Sequence, residues 1–169
     1  MEIPSNLKFL FKPLVIVDFS NPNLGIWALA MFILVFLSAL LSGSEVAIFG
    51  LSNSQKLNLS KETDNKNSNR VLKLLESPKK LLATILIGNN LVNVAIVIVS
   101  SIIMSEIFPS KTQNFVTSFI IQVVSVTFII LLFGEVIPKV YANNYNIRFS
   151  KIMALPITCL LYTSPSPRD

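Results

Sequence analysis

Three stretches of this chain stay apolar for longer than a soluble core segment normally does. They cover residues 24–51, 81–104 and 116–140, and about 20 apolar residues cross a bilayer as a helix. Hydrocarbon offers no hydrogen bonds, so a segment that crosses it must satisfy its own backbone, which a helix does. The sequence therefore predicts an all-α membrane protein with three transmembrane helices. Composition agrees: 52% of the 169 residues are hydrophobic and 14% charged, where a soluble domain carries about 25% charged residues.

The organisation follows from these spans. Residues 1–23, broken by Pro4, Pro13 and Pro22, are too short to span and read as an extracytoplasmic N-terminal segment. Residues 24–158 form one three-span domain, and 159–169 resemble a translated sequencing adapter. That tail is left out of the fold expectation, so the natural protein is expected to continue past Thr158. Between spans one and two lie Lys56, Lys61, Lys66, Arg70, Lys73, Lys79 and Lys80, whereas spans two and three are joined by a segment holding only Lys111. Basic residues stay on the cytoplasmic side, which predicts a multi-pass cell-membrane protein with its N-terminus outside and C-terminus inside. The net charge of +5 is assigned to this asymmetry and not to nucleic acid. "LSNSQKLNLS", "RVLKLLESPKK" and "NIRFSKIMALPI" read as short amphipathic juxtamembrane helices. They lie on the membrane interface or pack on a cytoplasmic domain.

Polar groups inside the spans carry the chemistry. Span one holds Ser38, Ser42, Ser44 and Glu45, with Ser38, Ser42 and Glu45 on one helical face. Span two holds Asn89, Asn90 and Asn93, the first and last one turn apart. Span three holds Glu135 between Gly134 and Pro138. Proline has no N–H, so the Gly134 carbonyl loses its helical partner and can turn to a ligand. Bland readings stand beside these: Ser38 and Ser44 bonding back to their own helix, Asn90 as inter-helix glue, Glu45 as a local cap or pair, and Glu135 as a snorkelling carboxylate near Lys139. Gly43, Gly88 and the serines offer small-residue faces for a second copy. There is no histidine and one cysteine, Cys159, which removes disulfides within the chain, Cys/His zinc sites and histidine catalysis. No nucleophile–base pair or phosphate-binding glycine loop points to an enzyme. What remains is a set of hard oxygen ligands, suited to Mg²⁺ and also to Na⁺.

At these residues the chain resembles a known family. "LSGSEVAIFGLSNSQ", "LLATILIGNNLVNVA" and "LLFGEVIPKVYA" are similar to the transmembrane domain of the CorB/CorC magnesium transporters and the cyclin M (CNNM) proteins. The resemblance implies a homodimer of three-span subunits that exports Mg²⁺, coupled to Na⁺ entry, from a site facing the cytoplasm between the helices. It implies Mg²⁺ ligands at Ser42, Asn89, Asn93 and Glu135, while Ser38, Ser44, Glu45, Asn90 and Gly134 stay further candidates from the polar pattern of the spans alone. It also implies cytoplasmic CBS domains that bind ATP, absent from this chain. The alternatives are a membrane-anchored cation sensor that moves no ion and a structural anchor.

Overall fold

The computed structural model describes residues 22–62, 65–107 and 115–163. The expected N-terminal segment up to residue 21 and the end of the tail from 164 lie outside the described residues. Every regular element among the described residues is helical. In chain order they are α1 (Pro22–Phe49), α2 (Asn53–Lys61), α3 (Lys66–Leu75), α4 (Pro78–Ile107), α5 (Phe115–Ile129), a π-helical segment (Ile130–Val136), α6 (Ile137–Asn144) and α7 (Asn146–Thr163). Three stretches are long and apolar enough to cross a membrane: Asn23–Phe49, Pro78–Glu106 and Gln122–Asn144.

The first span is one continuous helix through "SGSE". Ser44 donates to the Leu40 carbonyl one turn back, which satisfies the hydroxyl within the helix. The third span is helical throughout but changes its winding. Over Ile130–Val136 the bonds reach five residues back, and Ile137 N–H donates to the Leu132 carbonyl. Pro138 supplies the reason. It cannot donate to Gly134, and its ring crowds that carbonyl, so the turn before it widens. π-segments of this kind gather at functional sites.

The connection between spans one and two is folded. Ser52 and Gln55 form a reciprocal capping box that starts α2. Ser68, Val71 and Leu74 form the buried face of α3, with Leu72 and Leu75 partly buried beside it. The main core sits here and not between the spans. Ile48, Leu51, Leu59, Val71, Leu74 and Leu81 meet Met153, Ala154 and Ile157 of α7. Helices α2, α3 and α7 thus cap one end of the span bundle. Although 159–169 was left out of the expected fold, α7 continues unbroken to Thr163.

Polar contacts lock this cap. The Asn146 amide donates to the Gly50 carbonyl at 3.2 Å and exchanges hydrogen bonds with the Gln55 amide at 3.0 and 3.1 Å. Lys151 pairs with Glu62 at 2.6 Å. That ammonium, followed by the Ser68 hydroxyl, holds the Glu62 carboxyl below its ordinary value of 4.5.

Candidate functional site

Polar residues of spans one and two meet at Ser38. Its side chain is fully buried, and its hydroxyl lies 3.1 Å from Asn89 Oδ1 and 2.9 Å from Asn93 Oδ1. Asn89 and Asn93 reach the same point because four residues is close to one helical turn. The third span joins through Gly134, which is buried. A Cβ built there would lie 3.0 Å from Ser38 Oγ, so only glycine lets this backbone come so close. Ser42, one turn along α1, is buried, and its Oγ has no hydrogen-bond partner.

Ser38 has one hydroxyl hydrogen, and two amide oxygens face it. The hydroxyl donates to one of them at a time, and a half-turn of the other amide lets its N–H donate to Ser38 Oγ instead. Ser42 adds a buried oxygen that nothing engages. An unpaired polar group in a dry setting costs free energy, and a cation among the oxygens removes that cost. Among the described residues no three His, Cys, Asp or Glu side chains gather as a metal site. A cation held here thus relies mainly on neutral oxygens.

The remaining candidates separate clearly. Glu135 is partly buried in the π-segment beside Gly134, and its carboxylate makes no hydrogen bond with Ser38, Asn89 or Asn93. Lys139, its nearby cation in sequence, pairs instead with Glu45 at 3.7 Å, with both side chains more than a third exposed. Ser44 is occupied within its own helix. Asn90 is exposed and makes no hydrogen bond with the cluster. Ser38 therefore departs from the back-bonding alternative, whereas Ser44 follows it. Gly43 permits the expected close backbone approach, but within the chain: a Cβ there would lie 3.3 Å from the Pro138 carbonyl and 2.8 Å from the Phe149 ring. Gly88 likewise faces Leu41. These two glycines serve packing inside one subunit and supply no argument for a second copy.

A second polar contact joins spans two and three, and the sequence reading did not single it out. The Gln122 amide donates to Ser101 at 2.6 Å and to Ser100 at 3.4 Å. Both serines give their own protons to the Val97 carbonyl. The one available signal was an isolated amide side chain in an otherwise apolar segment.

A three-span membrane domain whose first two spans share a cluster of side-chain oxygens beside the third defines the class of protein. Residues 29–164 match the family of the cyclin M transmembrane N-terminal domain, and the chain belongs to that family. It is also similar to a UPF0053 protein of Haemophilus influenzae, 33% identical over 131 residues, which is 78% of this chain and 30% of that protein. The UPF0053 inner membrane protein YfjD of Escherichia coli is 33% identical over 109 residues, 64% of this chain and 24% of the relative. The chain spans less than a third of the length of these curated relatives.

Proposed function

We propose that this domain carries Mg²⁺ across the membrane, in the direction of efflux and coupled to Na⁺ entry, as half of a homodimer with the basic connection and the C-terminus in the cytoplasm. The observation that carries the reading is the meeting of the Ser38, Asn89 and Asn93 side chains at one point between the spans, with the buried, unpartnered Ser42 oxygen one turn away. The Asn89 and Asn93 carbonyls and the Ser38 and Ser42 hydroxyls are neutral ligands, and Glu135 supplies the compensating charge. Sites of low total charge hold a divalent ion weakly enough to release it, which transport requires. The π-segment gives the third span a way to move: shifting between π and α winding turns the residues after it by a fraction of a turn. Gly134 and Glu135 then approach or leave the Ser38 cluster while α1 and α4 stay in place. Nothing in this set resembles the apparatus of an enzyme.

Isothermal titration with Mg²⁺ and flux in proteoliposomes of the complete protein test the reading together. Asn93→Leu and Glu135→Gln should each abolish flux and weaken Mg²⁺ binding, while Asn90→Leu, at an exposed position, should leave binding intact. Parent-like binding in Asn93→Leu would remove the site. Tight Mg²⁺ binding with no flux in the parent would favour a sensor over a transporter. Orientation is read separately by labelling Asn58→Cys in a Cys159→Ser background. Label must reach that exposed position only from the cytoplasmic side.

A further inference from the structure

Away from the oxygen cluster, where α3 runs into α4, the chain forms a cleft of about 590 Å³. Its rim carries Arg70, Lys73, Lys79 and Lys80, with Glu76 the one acid among the lining residues. The Arg70 guanidinium donates to Asn67 at 3.0 Å. None of the four cations is paired with an acid among the described residues. Leu74, Ala83 and Ile87 give it an apolar floor, and Thr158, Leu161 and Tyr162 of α7 close its other side. Ile87, more than half exposed, carries that floor onto the outer face of the span.

Two features make the charge more than a marker of topology. First, Lys79 and Lys80 occupy the first turn of α4, which holds no acidic residue. The start of a helix carries a partial positive charge, so cations are unfavourable there and anions favourable. Second, lysines that only fix orientation can sit anywhere in the connection, whereas these converge with Arg70 on one cleft. Like charges gathered at the positive end of a helix repel each other until an anion is present. A free anion needs no apolar floor. A phospholipid supplies both parts: a phosphate for the rim and an acyl chain for the floor and the exposed flank of α4.

We infer that this cleft binds an anionic phospholipid, with the headgroup phosphate between Arg70, Lys73, Lys79 and Lys80 and an acyl chain along Leu74, Ala83 and Ile87. The bound lipid ties α3 to the start of span two, and so couples the juxtamembrane cap to the helix that carries Asn89 and Asn93. The assignment is independent of what the oxygen cluster binds.

The test is competitive lipid retention. The complete protein is equilibrated with an equal mixture of phosphatidylglycerol and phosphatidylcholine, and the bound lipid is measured by mass spectrometry. The parent should retain phosphatidylglycerol preferentially. Arg70→Gln with Lys73→Gln, or Lys79→Gln with Lys80→Gln, should reduce that preference by about five-fold per cation removed. Lys56→Gln with Lys61→Gln removes two charges from the same connection outside the cleft and should leave the preference unchanged. Equal retention of the two lipids overturns the proposal, as does an equal loss in the Lys56/Lys61 variant. Inorganic phosphate or an acidic peptide that displaces the lipid as well as phosphatidylglycerol does would reassign the cleft to a soluble anion. Should a cleft variant fail to fold, the parent decides alone, because short-chain phosphatidylglycerol must displace bound lipid and short-chain phosphatidylcholine must not.

Discussion

The two ends of this domain are held together by different physics. In the spans, the most apolar windows are 17%, 17% and 6% buried, and large side chains such as Phe32, Leu91 and Phe128 stand exposed. In the cap, Ile48, Leu59, Val71, Leu81, Ile85 and Ile157 are almost completely buried against one another. Water drives apolar side chains together, but lipid tails are as apolar as leucine and give span association no such push. The spans are instead joined by close approach at glycine and by a few polar contacts, chiefly those of Ser38. Packing of this kind is specific and weak. A weakly joined bundle on a firmly built cap can change the relation of its helices when one ion binds, because little apolar packing has to break.

The largest effect that tests this contrast lies within α4. Leu81 is completely buried in the cap and Leu86, five residues on, is half exposed on the span. Leu81→Ala should cost about 2–5 kcal/mol, a lost transfer term plus a cavity. Leu86→Ala should stay within about 0.5 kcal/mol, because lipid replaces the missing atoms. Denaturation of both variants in the same lipid–detergent mixture measures the difference, and equal costs would break the comparison.

The next effect concerns glycine. Gly134→Ala places a methyl group 3.0 Å from Ser38 Oγ, and overpacking of that order costs about 1–3 kcal/mol. It should also displace Ser38 from Asn89 and Asn93 and weaken Mg²⁺ binding further than the stability loss accounts for. Gly25, near the other end of the domain, has nothing within 4 Å of a built Cβ. Gly25→Ala should be neutral or stabilising, by up to about 1 kcal/mol. Unchanged stability and Mg²⁺ binding in Gly134→Ala would mean that the third span does not press on the cluster.

Smaller again is the removal of a single hydroxyl. Hydrogen bonds between membrane helices average about 0.6 kcal/mol and reach about 1.7. Ser38→Ala should therefore destabilise the domain by about 1 kcal/mol while removing much of its Mg²⁺ affinity. Ser44→Ala, which breaks only a bond to its own helix, should change neither. Titration calorimetry and unfolding on the same samples separate the two effects, and matched behaviour of the two serines would demote Ser38 from its place at the centre.

Much of this was legible in the sequence. Apolar length gave the three spans, and the alternation of Leu with Lys and Asn gave the juxtamembrane helices. The turn-spaced pair Asn89 and Asn93 pointed to a shared target, and Pro138 pointed to a disturbed carbonyl at Gly134. What the sequence left open was how each helix is rotated about its own axis. Ser38, Ser42 and Glu45 share a face in projection, yet Ser38 meets span two, Ser42 meets no partner, and Glu45 reaches Lys139 near the end of the bundle. That difference is set by tertiary packing, in particular by the close approach of Gly134. The π-winding was equally hidden, because Pro138 can be accommodated by a kink as well as by a widened turn. The main core escaped notice because residues 51–80 read as surface helices, and their buried faces became evident only with α7 laid across them.

The smallest expected effect sharpens the comparison from the wet side. Glu62 in the cap is bonded to Lys151 at 2.6 Å and to Ser68 at 2.7 Å, and these partners lower its carboxyl below the ordinary 4.5. A carboxyl depressed in the folded state stabilises the fold above its unfolded value, and that contribution disappears as the pH falls through the folded value. The parent should therefore lose stability relative to Glu62→Gln on acidification from about pH 5 downward. The loss should shrink in high salt, because the pair is open to water and counterions screen it. Substitutions at Ser38, Asn89 and Asn93 should produce no comparable salt-sensitive difference, since the contacts of these residues involve no charged pair. The measurement is the unfolding midpoint of parent and Glu62→Gln across that acid range at low and high ionic strength. Coincident curves at low salt would show that the Lys151–Glu62 pair contributes nothing to the cap.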